Sequence, residues 1–286
     1  MPRRVHGHSA KIPVAVGRLI SAETRLGGWE RSRLSTMKVL VFGATGGTGG
    51  RLVQQALQQG HVVTAFARDP GKIHLVHDNL RVVRGDILHP DSVETAVAGQ
   101  DAVMSALGIR LPARIVILIV VACQIIVRIV ALSRPATMFV ELGVPILAIL
   151  LLSRRKTILS EGTRNIVRAM ERAGIKRFVC ESSLGVGDSK WKLGVVHNLV
   201  GIPLFLRNIL ADKEAQEQII ASSSLDWVIV RPAALTNGQQ RIVYRAGSDV
   251  GHWFFPSRIS RSDVAAFMLK QLTDGEYLRK TPGLAY

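Results

Sequence analysis

From residue 38 onward, short apolar runs alternate with longer amphipathic stretches. Lys38–Gly43 (KVLVFG) is apolar and ends in glycine, and the QQALQQG stretch that follows has helical spacing. His61–Ala67 reads as a second strand, Arg81–Arg84 as a third and Asp101–Leu107 as a fourth. Between the last two, Asp91 is placed to cap a helix running through Ala98, with Glu94 completing a capping box. Ser160–Ala173 has a helical pattern stopped by Gly174, and Arg177–Glu181 reads as a fifth strand. Ala211–Ala221 is helical again, and Asp226–Val230 is a sixth strand closed by Arg231-Pro232. Strands alternating with helices of this length predict a Rossmann-type, doubly wound parallel sheet with right-handed crossovers.

Two segments stand outside the alternation. Residues 1–36 precede a second methionine, Met37, and are rich in arginine. They read as a basic extension: a disordered tail, a targeting peptide, or the product of an upstream start codon. Residues 109–156 form an apolar helical insertion after the fourth strand. Ile115–Leu132 is broken only by Gln124 and Arg128, and Ala136–Leu152 mainly by Thr137, Glu141 and the Gly143/Pro145 pair. Each run approaches the roughly 20 apolar residues that cross a bilayer, so a spanning or re-entrant membrane hairpin is one reading. Arg128 and Glu141 would then have to pair inside it. A helical subdomain packed on the sheet, or a dimer interface, is the other. The NAD(P)-binding domain is thus expected over residues 37–108 and 157–286.

The net charge of +16 changes the picture only through its location. Residues 1–36 hold +5 of it and residues 109–156 hold +6, so most of the basicity lies in these two attachments. Beside an apolar run, that charge suits an anionic lipid surface, contacted through 112–152, better than a nucleic-acid groove. The two cysteines, Cys123 and Cys180, lie in apolar runs, which argues against a disulfide framework and for a reducing compartment. Scattered histidines and the absence of HExxH give no metal site, and the absence of Gly-x-Ser-x-Gly disfavours a serine hydrolase of that type. The chain is therefore expected to be cytoplasmic, with membrane association through the insertion, or less readily organellar.

Gly43-Ala44-Thr45-Gly46-Gly47-Thr48-Gly49-Gly50 follows the first strand and opens a helix. Pyrophosphate is held by bare main-chain N–H groups at a helix N-terminus, where glycine leaves room for close approach. Thr45, Gly47 and Thr48 stand between the three key glycines, Gly43, Gly46 and Gly49. At the end of the second strand an acidic residue would hold a ribose hydroxyl, whereas arginine accommodates a 2′-phosphate. Arg68 comes first there, with Lys72 close behind, which favours NADPH; Asp69 leaves NADH open.

The GATGGTGG loop, the Ala67-Arg68-Asp69-Pro70 segment and Gly85-Asp86 resemble the NAD(P)H-binding, NmrA-like group of atypical short-chain dehydrogenases (flavin reductase/biliverdin-IXβ reductase-like). So do Ser105-Ala106-Leu107-Gly108, Ser160-Glu161-Gly162-Thr163-Arg164-Asn165 and Ala211-Asp212-Lys213-Glu214-Ala215. The resemblance covers about residues 37–108 and 157–275; the apolar insertion departs from it. It implies adenine contact near Asp86 and Ile87, and cofactor backbone contact at Ala106, Leu107 and Gly108. It also implies nicotinamide-side contacts from Ser182, Ser183 and Lys213.

Most short-chain dehydrogenases pair Lys with a Tyr four residues earlier, and the lysine lowers the tyrosine pKa for proton transfer. If Lys213 is that lysine, Ile209 stands at the tyrosine position; Tyr244, Tyr277 and Tyr286 have no Lys four residues on. Alcohol–ketone interconversion is therefore disfavoured. Hydride transfer to a flavin or quinone needs no such acid, because the acceptor is a conjugated system. Ser183 could hydrogen-bond the acceptor or simply turn the chain. Lys213 could hold the nicotinamide ribose or be a solvated helix lysine. His197, within the apolar stretch 191–210, reads as a packing or surface histidine. The expectation is an NADPH-dependent reductase; a non-catalytic NADP(H) sensor and a membrane-tethered scaffold that keeps the nucleotide as a structural element are the alternatives.

Overall fold

The computed structural model describes residues 36–108, 157–189, 207–241, 243–251 and 257–286. All of the basic extension 1–36 except Thr36, the apolar insertion (109–156) and the segment carrying His197 lie outside the described residues. Among the described residues no helix is long and apolar enough to cross a membrane.

Ten strands are present among them: β1 Lys38–Phe42, β2 Val62–Ala67, β3 Leu80–Arg84, β4 Ala102–Ser105, β5 Arg177–Glu181, β6 Asp226–Pro232, β7 Ala234–Thr236, β8 Arg245–Gly247, β9 Arg258–Ser260 and β10 Gly283–Ala285. The helices are α1 Gly47–Gln58, α2 Pro90–Val97, α3 Ile158–Ala173, α4 Arg207–Ala221 and α5 Arg261–Lys270. Eight strands form one sheet in the order β3-β2-β1-β4-β5-β6-β10-β8, and β7 pairs with β9 separately. All neighbours in the main sheet run parallel except β8, which is antiparallel to β10. This is the expected doubly wound sheet, with the chain reversing direction across the sheet between β1 and β4.

Strand alternation divides the core in two. Val39 and Val41 of β1 share one face with Leu52 and Ala56 of α1 and Phe267 and Met268 of α5. Leu40 and Phe42 face the other way, against Val93 of α2, Ile166 and Met170 of α3 and Ile220 of α4. Central strands buried on both faces read as continuous apolar runs, which is why KVLVF and RFVCE were legible.

One expected start is corrected. Helix α2 begins at Pro90 with His89 as N-cap and no side-chain cap, so Asp91 lies inside the first turn. Proline has no N–H to satisfy and a preset φ, so it takes the first helical position ahead of the carboxylate. Glu94 reaches instead to the Arg172 guanidinium of α3. The hydrophobic pattern predicts no strand or helix after Pro232, and there the chain adds α5 and four short strands.

Candidate functional site

The first βα turn is built by close backbone approach. Gly43 adopts φ +78°, a region costly for other residues. A Cβ there would stand 2.4 Å from the Ala106 carbonyl oxygen, and one on Gly49 would stand 2.1 Å from that of Gly43. Glycine at these two positions therefore lets α1 start directly against β1 and the exit of β4. Gly46 is the N-cap of α1; no side chain caps the helix, and its first turn carries no acidic residue. The first N–H groups of an uncapped helix point at whatever lies beyond, with the positive end of the helix dipole behind them. An anion fits there.

Beyond this turn opens a cavity of about 500 Å³, within the usual size of a small-molecule site. Gly43, Thr45 and Gly46 line it from the turn, and Ala106, Leu107 and Gly108 from the exit of β4. Arg68 and Lys72 line the end beyond β2, where Arg68 is exposed. Lys72 Nζ lies 3.2 Å from the Asp69 carboxylate, so the acid that left NADH open has a basic partner.

The far wall, Asp86, Ile87 and Leu88, is pinned from several directions. Asp86 Oδ1 accepts from the Leu88 N–H at 3.1 Å, and Asn165 Nδ2 donates to the Ile87 carbonyl at 2.9 Å. A Cβ on Gly162 would press 2.5 Å from Ile87 Cδ1, so glycine there gives α3 room to lie against that side chain. The floor, Ile158 and Leu159, is the first turn of α3. Asp212 of α4 accepts from the Leu159 and Ser160 N–H groups at 2.9 and 3.0 Å, supplying across space the cap that α3 lacks locally. Gln216, one turn on, donates to Thr163 at 2.8 Å. The Ser160–Asn165 and Ala211–Ala215 segments thus act here as the frame of the cavity.

The residues expected on the nicotinamide side lie beyond the lining of this cavity. Ser182 is buried and its hydroxyl donates to Glu217; Ser183 donates to the Leu184 carbonyl at 2.9 Å. Neither lines this cavity. Gly47, Thr48 and Gly49 form the first turn of α1 and also stand outside its lining; the Thr48 hydroxyl donates to Glu181 Oε1 at 3.0 Å. Lys213 is half-buried on α4, and its charge acts on Glu181 and Cys180. The Cys180 thiol is pushed up to about 12 by burial, which keeps it protonated and unreactive.

Sequence reasoning missed the buried acids Glu217 and Glu181. Glu217 receives Arg231 in a two-pronged pair, Nε to Oε1 at 3.1 Å and Nη2 to Oε2 at 2.6 Å, and Arg231 also reaches Asp188. Glu181, at the end of β5, has its pKa raised by burial, against the opposing pull of Lys213, the Thr48 hydroxyl and Arg261. An acid with a raised folded pKa binds its proton more readily folded than unfolded. Its contribution is therefore most favourable below the ordinary carboxyl pKa and is lost as pH rises through the folded value. Glu181→Gln is accordingly expected to be more stable than the parent near neutral pH, with the difference closing toward about pH 4 in denaturant unfolding. Equal stability at both pH values would show that the carboxylate is fully compensated.

The sequence pattern described as NAD(P)H-binding matches residues 43–275. The 3-beta-hydroxysteroid dehydrogenase of Mycolicibacterium neoaurum is 32% identical over 149 residues, 52% of this chain and 32% of that protein. The photosystem II assembly factor Ycf39 of Synechocystis sp. is 23% identical over 256 residues, 86% of this chain and 61% of that protein. The chain thus spans between a third and two thirds of the length of the curated relatives it matches. The crystal structure of a Veillonella parvula short-chain dehydrogenase/reductase in complex with NADP superposes with a TM-score of 0.61 at 16% identity, covering 88% of this chain and 95% of that one. The uncapped glycine turn, the 3-2-1-4-5-6 strand order and the matched pattern together place this chain in the NAD(P)H-binding family.

Proposed function

We propose that the protein is an NADPH-dependent reductase that delivers hydride to a flavin, a quinone or a similar conjugated acceptor. The observation that carries this reading is the fate of its tyrosines. Tyr244 and Tyr277 pack on Phe267, with ring centroids 6.1 and 5.5 Å away, and burial raises the pKa of each. Tyr286 donates to Asp263 at 2.6 Å. A phenol serving carbonyl reduction needs its pKa lowered by a neighbouring lysine, so all three are committed to packing around α5. When bound, the nicotinamide supplies the hydride. The chain's own part is to hold the dinucleotide by the α1 turn, grip its 2′-phosphate with Arg68 and Lys72, and present an acceptor at the sheet edge. A conjugated acceptor stabilises the added electron pair itself and can take its proton from water.

A lipophilic acceptor would follow if 112–152 contacts lipid, since the insertion leaves the sheet at the C-terminal end of β4. A second reading, an assembly or scaffold protein that keeps the nucleotide as a structural element, draws on the similarity to an assembly factor over most of the chain. NADPH oxidation by the purified protein with flavins, short- and long-tailed quinones and a ketosteroid separates these readings. The reductase reading expects turnover with flavin or quinone and none with the ketone. Bound NADPH without turnover of any acceptor favours the sensing or scaffold reading, and ketone turnover overturns the choice of acceptor.

A further inference from the structure

We infer that Arg261 is a further cofactor-binding residue, the cation that closes over the dinucleotide's pyrophosphate from α5. The inference rests on nucleotide binding at the α1 turn but not on the choice of acceptor. Its starting point is Gly47, the first residue of α1. A Cβ there would stand 2.6 Å from Arg261 Cδ and 2.7 Å from its Nε, so the arginine side chain lies directly on the opening turn of α1. Gly47 adopts no left-handed backbone, and what it provides is room for that guanidinium.

The charges in this corner call for an anion. Arg261 is itself the first residue of α5, so the positive ends of two helices and a guanidinium share the corner. Of the two helices only α5 carries an acid in its first turn. The first turn of α1 has none. Asp263, in the first turn of α5, accepts from the Arg241 N–H and from the Ser260 and Tyr286 hydroxyls. Glu181 acts on Arg261 electrostatically, and its carboxyl is also held by the Thr48 hydroxyl and drawn on by Lys213. Arg261 Nη1 donates to the neutral side-chain amide oxygen Oδ1 of Asn237 at 2.7 Å, an orientation that costs the cation no charge. A pyrophosphate at the uncapped turn is an anion of the right chemistry within reach of this side chain. The clamp would also tie the C-terminal elements, which pack α5 onto α1, to occupancy of the nucleotide site.

The test is titration of the full chain with NADPH, NADH and 2′-AMP, which carries the 2′-phosphate but no pyrophosphate. Arg261→Gln is expected to weaken NADPH and NADH alike by about tenfold and to leave 2′-AMP unchanged. Arg68→Gln should do the reverse, weakening NADPH and 2′-AMP and sparing NADH. Arg261→Lys should recover part of the loss, and Gly47→Ala, which displaces the guanidinium without removing it, should reproduce it in a chain that keeps Arg261. NADPH and NADH bound as tightly by Arg261→Gln as by the parent would overturn the clamp. So would an equal loss of 2′-AMP, which would mark a general loosening of the site. If the parent binds neither dinucleotide, the nucleotide-site assignment itself falls.

Discussion

A Gly46→Asp variant is expected to fold about as stably as the parent and to lose NADPH affinity by about a hundredfold or more. Gly46 has φ −80° and ψ 170°, an extended conformation open to any residue, and it is the N-cap of α1. Aspartate is among the preferred N-caps and gains about a few tenths of a kcal/mol over glycine by accepting from the first turn. Against that stands one tight contact, because a Cβ would lie 3.0 Å from the Gly43 carbonyl oxygen. The two effects nearly offset in stability. In binding they add, since the carboxylate takes the N–H groups meant for phosphate and repels its charge. Denaturant unfolding and NADPH titration of the same preparation read both quantities. Gly46→Ala, which adds the contact without the charge, should lose much less affinity. A fully stable Gly46→Asp chain that still binds NADPH like the parent would place the dinucleotide elsewhere.

The second large effect concerns the frame. Arg231→Leu is expected to cost about 3–5 kcal/mol, because it leaves a buried carboxylate without its cation. The side chains of Arg231 and Glu217 are 7% and 9% exposed, so water cannot take the lost partner's place. Burial draws the arginine pKa down, but Glu217 and Asp188 more than restore it, so the guanidinium stays charged in the folded chain. Ser182 joins the same carboxylate. The network thereby binds the ends of β5 and β6 to α4, along the edge where an acceptor would dock. At roughly 2–4 °C of melting temperature per kcal/mol for a domain of this size, the melt should fall by about 10 °C. Replacing both partners by leucine should recover much of the loss, since an apolar pair leaves no orphaned charge. A single variant within about 1 kcal/mol of the parent would show that Glu217 finds another partner.

What was legible in the sequence was local. Arg177–Glu181 was read to the residue because a strand buried on both faces is a short apolar run between turn signals. The glycine turn was legible because its glycines fall within eight consecutive residues. Asp91 was misread because a preferred cap was weighed without the proline beside it. After Pro232 the signals fail for two reasons. Strands of three residues carry no usable alternation, and α5 buries Val264, Ala265, Phe267, Met268 and Leu269 around most of its circumference, which erases a one-sided pattern. The rest of the site was illegible because its contacts are distant in sequence. Thr48 meets Glu181 133 positions away, and Asp212 caps a helix 53 positions earlier. The segments carrying the family resemblance were visible as motifs. That Asn165, Gly162 and Asp212 would brace the wall and floor of the cavity was not, because each acts through a partner that only the fold brings near.

The most direct measurement is titration of the purified parent chain with NADPH and with NADH. Saturable binding of one NADPH per chain is expected, tighter than NADH by about tenfold or more because Arg68 and Lys72 meet the additional phosphate. A folded protein that binds neither would contradict the assignment of the glycine turn and the cavity beside it.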